Sequence, residues 1–463
     1  MTTPPLDPTH PSHAPGAAAQ GCPMRAAASD GVRPLYGAEA ESQPYALYEQ
    51  LRAEHGEVAP VRLYGDEPAW LVLGHRENLE VMRSRRFSSD SRNWHAIQRG
   101  TLAPESPLRP ITAWQPLVAL TDGAEHARLR EAVTDGLGRV NKHRMRRYVV
   151  RYATQLIDDF AGKGRADLVA DFARKLPALV ITQQLGIAEA DALPVGSAVS
   201  DMISGGETAL AGNELVVRTV HELVRSRKRE PREDLASRLL AHPQGLSEEE
   251  VRQHLRLLLV GALEPTANLI ANTLRLVLTD SRFRGNLSGG QMTLPDALEQ
   301  VLWDHPPLAV VPTRWAKDDT DLGGTRIAAG DMVMLGLAAG NVDPAIRPDS
   351  SKPVHGNRSH LAFGAGAHEC PGQDLGRAIA ETGIDLLLER VPDLTLAVDD
   401  DELQVVGTWM SRRLTGLPVV FKPAQQERPS QAVQQPVVAR AHLEPVAAGT
   451  GSGRPSSWRF WRR

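Results

Sequence analysis

Between Ser247 and Asp280 the chain runs apolar for about eight helical turns, and no other stretch limits its possible folds so strongly. The segment opens Ser247-Glu248-Glu249-Glu250. That is a capping box, in which the serine side chain caps the helix and Glu250 reaches back to the start. A helix of roughly 33 residues would be about 50 Å long at 1.5 Å per residue, enough to cross a domain of this size.

The pattern around it is also mainly helical. Residues 124 to 282 read as helix with breaks at Gly162 to Gly164, Gly205 to Gly206 and Pro243, and further helices are expected over 44–54, 75–84, 293–303 and 373–390. Strand-like runs Val58 to Leu63 and Trp70 to Leu73 flank the turn Gly65-Asp66-Glu67. Short pieces follow at Leu308 to Val311, Thr325 to Ile327, Met332 to Leu335 and Leu394 to Val398, with a hairpin near 404–421. The expected fold class is mainly α with small β-sheets.

Residues 1–35 hold seven prolines among many Ala, Ser and Gly, and residues 423–463 are rich in Gln, Pro, Ser and Gly. Both are expected to be disordered tails, because neither buries enough apolar surface to offset chain entropy. No such linker interrupts 36–422, which reads as a single domain. The last residues, Trp458 to Arg463, are aromatic and basic; they suit a solvated tail or a weak contact with a membrane surface or partner.

Composition removes several function classes. With 52 basic and 56 acidic side chains the net charge is -4, so no global basic field gathers nucleic acid. No membrane span is expected, and the first twenty residues lack the pattern of a secretory signal, which points to the cytoplasm. Only Cys22 and Cys370 are present, too few for a disulfide framework or a cysteine zinc cluster.

Cys370 lies in His360 to Gly372, HLAFGAGAHECPG, directly before a helix. Gly364 and Gly366 open backbone conformations closed to other residues and let the chain pass near a flat ligand. A helix N-terminus favours thiolate over thiol, and a thiolate on a tight loop is what haem iron requires of an axial cysteine. Phe363 would pack near the sulfur and exclude water, and His368 could pair with a haem propionate. A phosphate-binding glycine loop lacks support, since no Gly-Lys-Ser/Thr ending follows. A buried structural cysteine is the plainer alternative.

Phe363, Gly366, His368, Cys370 and Gly372 resemble the haem-binding signature of the cytochrome P450 superfamily. The resemblance extends across nearly the whole folded region. It implies a triangular prism of helices around a buried haem b, with Cys370 as iron ligand and Phe363, Gly364, Gly366, His368 and Ala262 beside the cofactor. Residues 120–130, LTDGAEHARLR, are similar to the family's helix C; there His126 and Arg130 match propionate-binding positions and share one helical face. Arg314 in PTRWAKDD matches a further propionate arginine. Singly, each is more readily a surface charge; their order and spacing relative to Cys370 reverse that weighting.

Two segments depart from the family. Helix I has an acid followed by a threonine that helps relay protons to oxygen, whereas this chain reads Glu264-Pro265-Thr266. Pro265 takes the threonine position and Thr266 falls one residue late, about 100° further round. The proline removes the hydrogen bond to the Gly261 carbonyl and is expected to kink the helix, leaving a site for water to which Glu264 delivers protons. In helix K, Gln300 and Trp303 replace the Glu and Arg of the usual pair, a neutral substitute for a buried salt bridge. The run Glu299-Gln300-Val301-Leu302-Trp303 resembles an actinobacterial subfamily with an EQxxW-type helix K. The arginine that normally completes the lock would be His355 or Arg358.

The resemblance therefore implies a haem-thiolate monooxygenase of secondary metabolism that inserts one oxygen atom from O2 into a hydrophobic small molecule. Ferredoxin and its reductase are the expected electron donors, since the chain carries no flavin or iron–sulfur motif. Two other readings stay open: a haem-binding sensor or signalling component with little activity, and a peroxide-driven oxidase. Substrate contacts are expected from residues 88–118 with Trp94 and Trp114, from 200–213, and from Leu263, Leu308 to Val311 and Thr408 to Met410. Structural packing is an equal explanation for each tryptophan.

Overall fold

Both bonds of the expected capping box form: the Glu250 amide donates to Ser247 Oγ at 3.2 Å, and the Ser247 amide donates to Glu250 Oε2 at 2.7 Å. From this cap a 32-residue helix runs over Glu248–Thr279 in the computed structural model, which describes residues 32–204, 208–284, 293–349, 352–354 and 356–424. The remaining parts of the expected tails, Cys22, the Trp458 to Arg463 terminus, the Gly205–Gly206 break and His355 lie outside these residues.

The other main helices, in chain order, are α1 (Gly123–Gly138), α2 (Lys142–Ala161), α3 (Lys175–Leu185), α4 (Glu189–Ser204), α5 (Ala209–Arg229), then the central helix as α6, α7 (Leu294–Asp304) and α8 (Gln373–Arg390). The central helix belongs to two cores. Its first half packs Leu255, Leu259 and Leu263 against Leu129, Val133, Val199 and Val216. Its second half packs Leu269, Ile270 and Leu274 against Tyr152, Phe172, Leu176 and Ile384. Each such buried side chain contributes about 1.5–3 kcal/mol. By length and composition α6 could cross a membrane, but 61% of its most apolar window is buried inside the protein, as suits a core helix.

A five-stranded sheet joins β1 (Arg33–Pro34), β2 (Val58–Leu63), β3 (Glu67–Val72), β4 (Val310–Val311) and β5 (Val333–Gly336) in the order β1-β2-β3-β5-β4. Two tail boundaries need correcting. Arg33 and Pro34 pair with Val61 and Arg62, and the Ala424 amide donates to the Ala161 carbonyl at 2.9 Å, so backbone hydrogen bonds hold both chain ends beyond the expected limits. The hairpin expected over 404–421 is shorter: Val405–Gly407 pairs with Arg412–Leu414. Pro418–Val420 leaves it to join Thr395–Leu396 and Arg165–Asp167.

Helix α7 starts with its own capping box, Thr293 with Asp296, and buries Glu299, Gln300 and Trp303. Trp303 donates from Nε1 to the Asn357 carbonyl at 2.7 Å and stacks on His75 at 6.2 Å between ring centroids. Gln300 Oε1 accepts the Val354 amide at 3.1 Å. The amide and the indole thus hold the segment leading into the cysteine loop through neutral hydrogen bonds. Trp303→Ala is expected to lower stability by about 3–5 kcal/mol, the cost of emptying a large aromatic site. Trp303→Phe should cost distinctly less, with equilibrium denaturation comparing the two.

Candidate active site

The loop around Cys370 is folded tightly by its own backbone. The Cys370 amide donates to the Phe363 carbonyl at 2.8 Å, and the Gly364 amide donates to Leu361 O at 2.8 Å. Gly364 and Gly366 have φ of 67° and 72°, a region that strains other residues. A Cβ on Gly366 would also stand 2.7 Å from the Met82 carbonyl. The glycines are therefore needed to bring the cysteine round to the cavity.

Helix α8 begins at Gln373, so Cys370 lies just ahead of the helical turn instead of inside it. Burial pushes the thiol above its ordinary value, while the Gly372 amide and Arg130 pull the other way. Burial wins, contrary to the expectation that the helix end alone favours a thiolate. A cation bound at the sulfur is what would reverse the balance.

The sulfur opens into an apolar cavity of about 1950 Å³ of empty space, mouth included. Ala262, Pro265, Thr266, Phe363, Gly364, His368, Arg130 and Arg314 all line it, as expected for the cofactor site. No Asp or Glu is among the lining residues. Arg314 is 5% exposed, and burial lowers its pKa to about 10. Burial, together with Arg314, His126 and Arg130, drives His368 far down, so it is neutral. His126 stands behind His368, its ring centroid 4.1 Å away, and its buried Nε2 has no hydrogen-bond partner. Arg130 meets only a carbonyl, that of Glu369, at 2.6 Å, and Arg314 meets that of Thr313 at 2.6 Å.

Two guanidinium groups thus converge on an apolar slot whose wall offers them no carboxylate, with the uncharged His368 ring beside them and His126 behind it. Asp122 is the nearest acid, 3.9 Å from His368, and its carboxylate already holds Ser88 and the Ser89 amide. A flat apolar macrocycle carrying two carboxylates satisfies both the cavity wall and the cations, so the residues present fit haem. Among the described residues no group of three His, Cys, Asp or Glu forms a metal cage, which leaves Cys370 as the candidate protein ligand.

Three expected site residues do not line this cavity. Gly366 packs against Met82, and His126 reaches the cavity only through His368. Glu264 is the larger departure. Its carboxylate meets Ser200 at 3.1 Å and Arg413 at 3.2 Å, tying the central helix to α4 and the final hairpin. The helix also continues through Pro265. Thr266, two residues on, lines the cavity and turns toward the start of α8, 3.8 Å from a Cβ position on Gly376.

The expected substrate segments also divide. Val118, Leu308 and Val311 line the cavity, but Leu263 is packed in a core. Trp94 tilts against Trp315, Trp114 lies under Arg92, and Trp409 is buried beneath the sheet. Trp94 and Trp409 are packing residues, and the half-buried Trp114 does not line this cavity. Conversely, His254 and Gln184 line the cavity without having been singled out. Only the helical phase of His254, seven residues before Gly261, marked it in the sequence.

No protein-family model matches the chain. It is 31% identical over 382 residues to 2-hydroxy-5-methyl-1-naphthoate 7-hydroxylase of Streptomyces carzinostaticus, across 80% of this chain and 93% of that protein. It is 31% identical over 401 residues to cytochrome P450 monooxygenase PikC of Streptomyces venezuelae, across 84% and 94%. Among solved structures, CYP154C4 from Streptomyces sp. ATCC 11861 superposes with a TM-score of 0.78 at 26% identity, covering 85% of this chain and 99% of the other.

His254 supplies a test of the cavity roof. The Val118 amide donates to its Nε2 at 3.0 Å, so the ring proton is on Nδ1, which donates to the Glu250 carbonyl at 2.6 Å. Burial holds the pKa below the ordinary 6.5, against Glu250, while Arg128 adds to the lowering. The unfolded chain therefore takes up this proton first, and stability present above pH 6.5 is lost as pH falls toward the folded value. Melting temperatures across an acid series should fall less steeply in His254→Gln, whose side chain can accept the Val118 bond without titrating.

Proposed function

The chain belongs to the cytochrome P450 family and is a monooxygenase, and from that premise we propose that it inserts one oxygen atom from O2 into a hydrophobic organic substrate of secondary metabolism. The observation that carries this reading is the Cys370 thiol facing an apolar cavity beside Arg130, Arg314 and His368, with no acid among its lining residues. Cys370 would ligate the haem iron. Arg130, Arg314 and His368, backed by His126, would hold the propionates. When bound, haem supplies the oxygen-activating chemistry, with the cysteine thiolate donating electron density.

The chain's own residues decide water and protons. The apolar wall from Val118 to Leu337 excludes bulk water from the reacting end. Pro265 has no N–H, so the Gly261 carbonyl, which lines the same cavity, lacks its helical donor and is available to a water molecule. Thr266 presents the nearest hydroxyl of that helix to the cavity. We take Thr266 and the Gly261 carbonyl as the inner end of the proton route. Glu264, already held by Ser200 and Arg413, serves mainly to tie α6 to α4.

Ferredoxin and its reductase are proposed as electron donors and the cytoplasm as location. The Glu299 to Trp303 run, with its neutral Gln300 and Trp303 contacts, supports the EQxxW-type subfamily. Pro265 in the central helix favours one second reading, a haem protein with weak oxygen turnover or peroxide-driven chemistry.

The carbon monoxide difference spectrum of the reduced protein tests ligation: a thiolate-type Soret band is expected, and Cys370→Ala should lose it. Product analysis with a lipophilic panel, under a ferredoxin system and under peroxide, then separates the readings. No turnover with either would sink the monooxygenase proposal. Thr266→Ala should lower product formed per O2 consumed several-fold, whereas Glu264→Gln should stay near wild type.

A further inference from the structure

Part of the cavity wall comes from elements that supply neither the cysteine nor the cations. Met145 of α2, Ile181, Gln184 and Leu185 of α3, and Leu235 of the short helix Leu235–Leu240 line it, beside Leu257 from the first half of α6. The cavity has about 1950 Å³ of empty space, mouth included, against ~300–1,000 Å³ for a pocket that takes one drug-sized ligand. It has room for a second molecule beside a flat cofactor.

Among the described residues, Gln184 is the one hydrogen-bonding side chain that α2, α3 and the short helix give to this wall. Its Nε2 is shut off from solvent and has no hydrogen-bond partner. Gln183, turned about 100° away, instead accepts the Tyr152 hydroxyl at 3.4 Å. His254, which α6 adds to the wall, has both ring nitrogens engaged, by the Val118 amide and the Glu250 carbonyl. A buried amide N–H without an acceptor is costly, and the aliphatic side chains around Gln184 supply none. The acceptor that satisfies it has to arrive on a ligand.

We propose that Gln184 is a specificity-determining residue: it donates from Nε2 to a neutral oxygen, a ketone or a hydroxyl, carried by an otherwise apolar substrate. The inference rests on the monooxygenase reading of the same cavity and narrows its substrate class. A carboxylate is a poor occupant here, because α2, α3 and the short helix bring no cation to the wall, and Arg130 and Arg314 are the proposed partners of the propionates. A plain hydrocarbon fits the wall but leaves the Gln184 N–H unpaired.

Calorimetric titration of the haem-loaded protein with three probes on one skeleton, tetralin, tetralone and tetralin carboxylate, reads this preference without turnover. Wild type should bind tetralone about tenfold more tightly than tetralin, the worth of one buried hydrogen bond, and should bind the carboxylate more weakly than the ketone. Gln184→Leu should bring ketone and hydrocarbon to within about twofold by weakening the ketone alone, and it should melt no lower than wild type because it removes an unpaired donor. Wild type that binds the two equally, or does not bind tetralone, overturns the proposal. So does a preference that survives in Gln184→Leu. Equal weakening of both probes together with a lower melting temperature would make Gln184 a structural residue and overturn it as well. The carbon monoxide difference spectrum of reduced wild type separates the two levels: a missing thiolate-type band overturns the haem reading, whereas an intact band without the ketone preference overturns this inference alone.

Discussion

A thiol sunk in apolar surroundings resists ionisation unless positive charge lies against it, and positive charge sunk there is costly unless it meets anions. The site of this protein holds both halves of that problem. Cys370 is pushed toward the neutral form by burial, and Arg314 and His368 are pushed toward theirs. One ligand that carries a cation at its centre and carboxylates at its edge resolves all three at once. The rest of the architecture brings these groups together from distant parts of the chain: α1, the strand region after α7, and the loop before α8.

The central helix performs two duties that pull against each other. It has to be continuous to join two cores, yet it has to offer polar groups where it passes the cavity. Pro265 reconciles them by withholding a single N–H while the helix goes on. Glu264, one residue away, is drawn off to Ser200 and Arg413, so an acid and an open carbonyl on adjacent turns end up in different environments.

Features carried by local sequence were legible before the structure. The capping box at Ser247 and the glycines before Cys370 act over a few residues, so their chemistry is visible in the letters. Arg130, Arg314 and His368 were found because their spacing to the cysteine matched a known pattern. What escaped reading depended on rotation and on distant partners. One residue along α7 turns a side chain by about 100°, which points Glu299 at Arg377 of α8 while Gln300 faces the loop before the cysteine. The direction of Glu264 depends on Arg413, about 150 residues further on. Trp94 and Trp409 look like candidates for a binding wall in the sequence, but their burial in the core beside the sheet is a tertiary matter that composition does not carry.

The neutral anchors Trp303–Asn357 and Gln300–Val354 have a consequence for the conditions the protein withstands. An exposed ion pair at that seam would weaken as salt screens it and would fail once its acid is protonated. Hydrogen bonds from an indole and to a carboxamide carry no net charge, so ionic strength barely alters them. The grip on residues 354 to 357 should therefore outlast the ion pairs that decorate the surface, giving the approach to the cysteine loop a tolerance for brine that the rest of the exterior does not share.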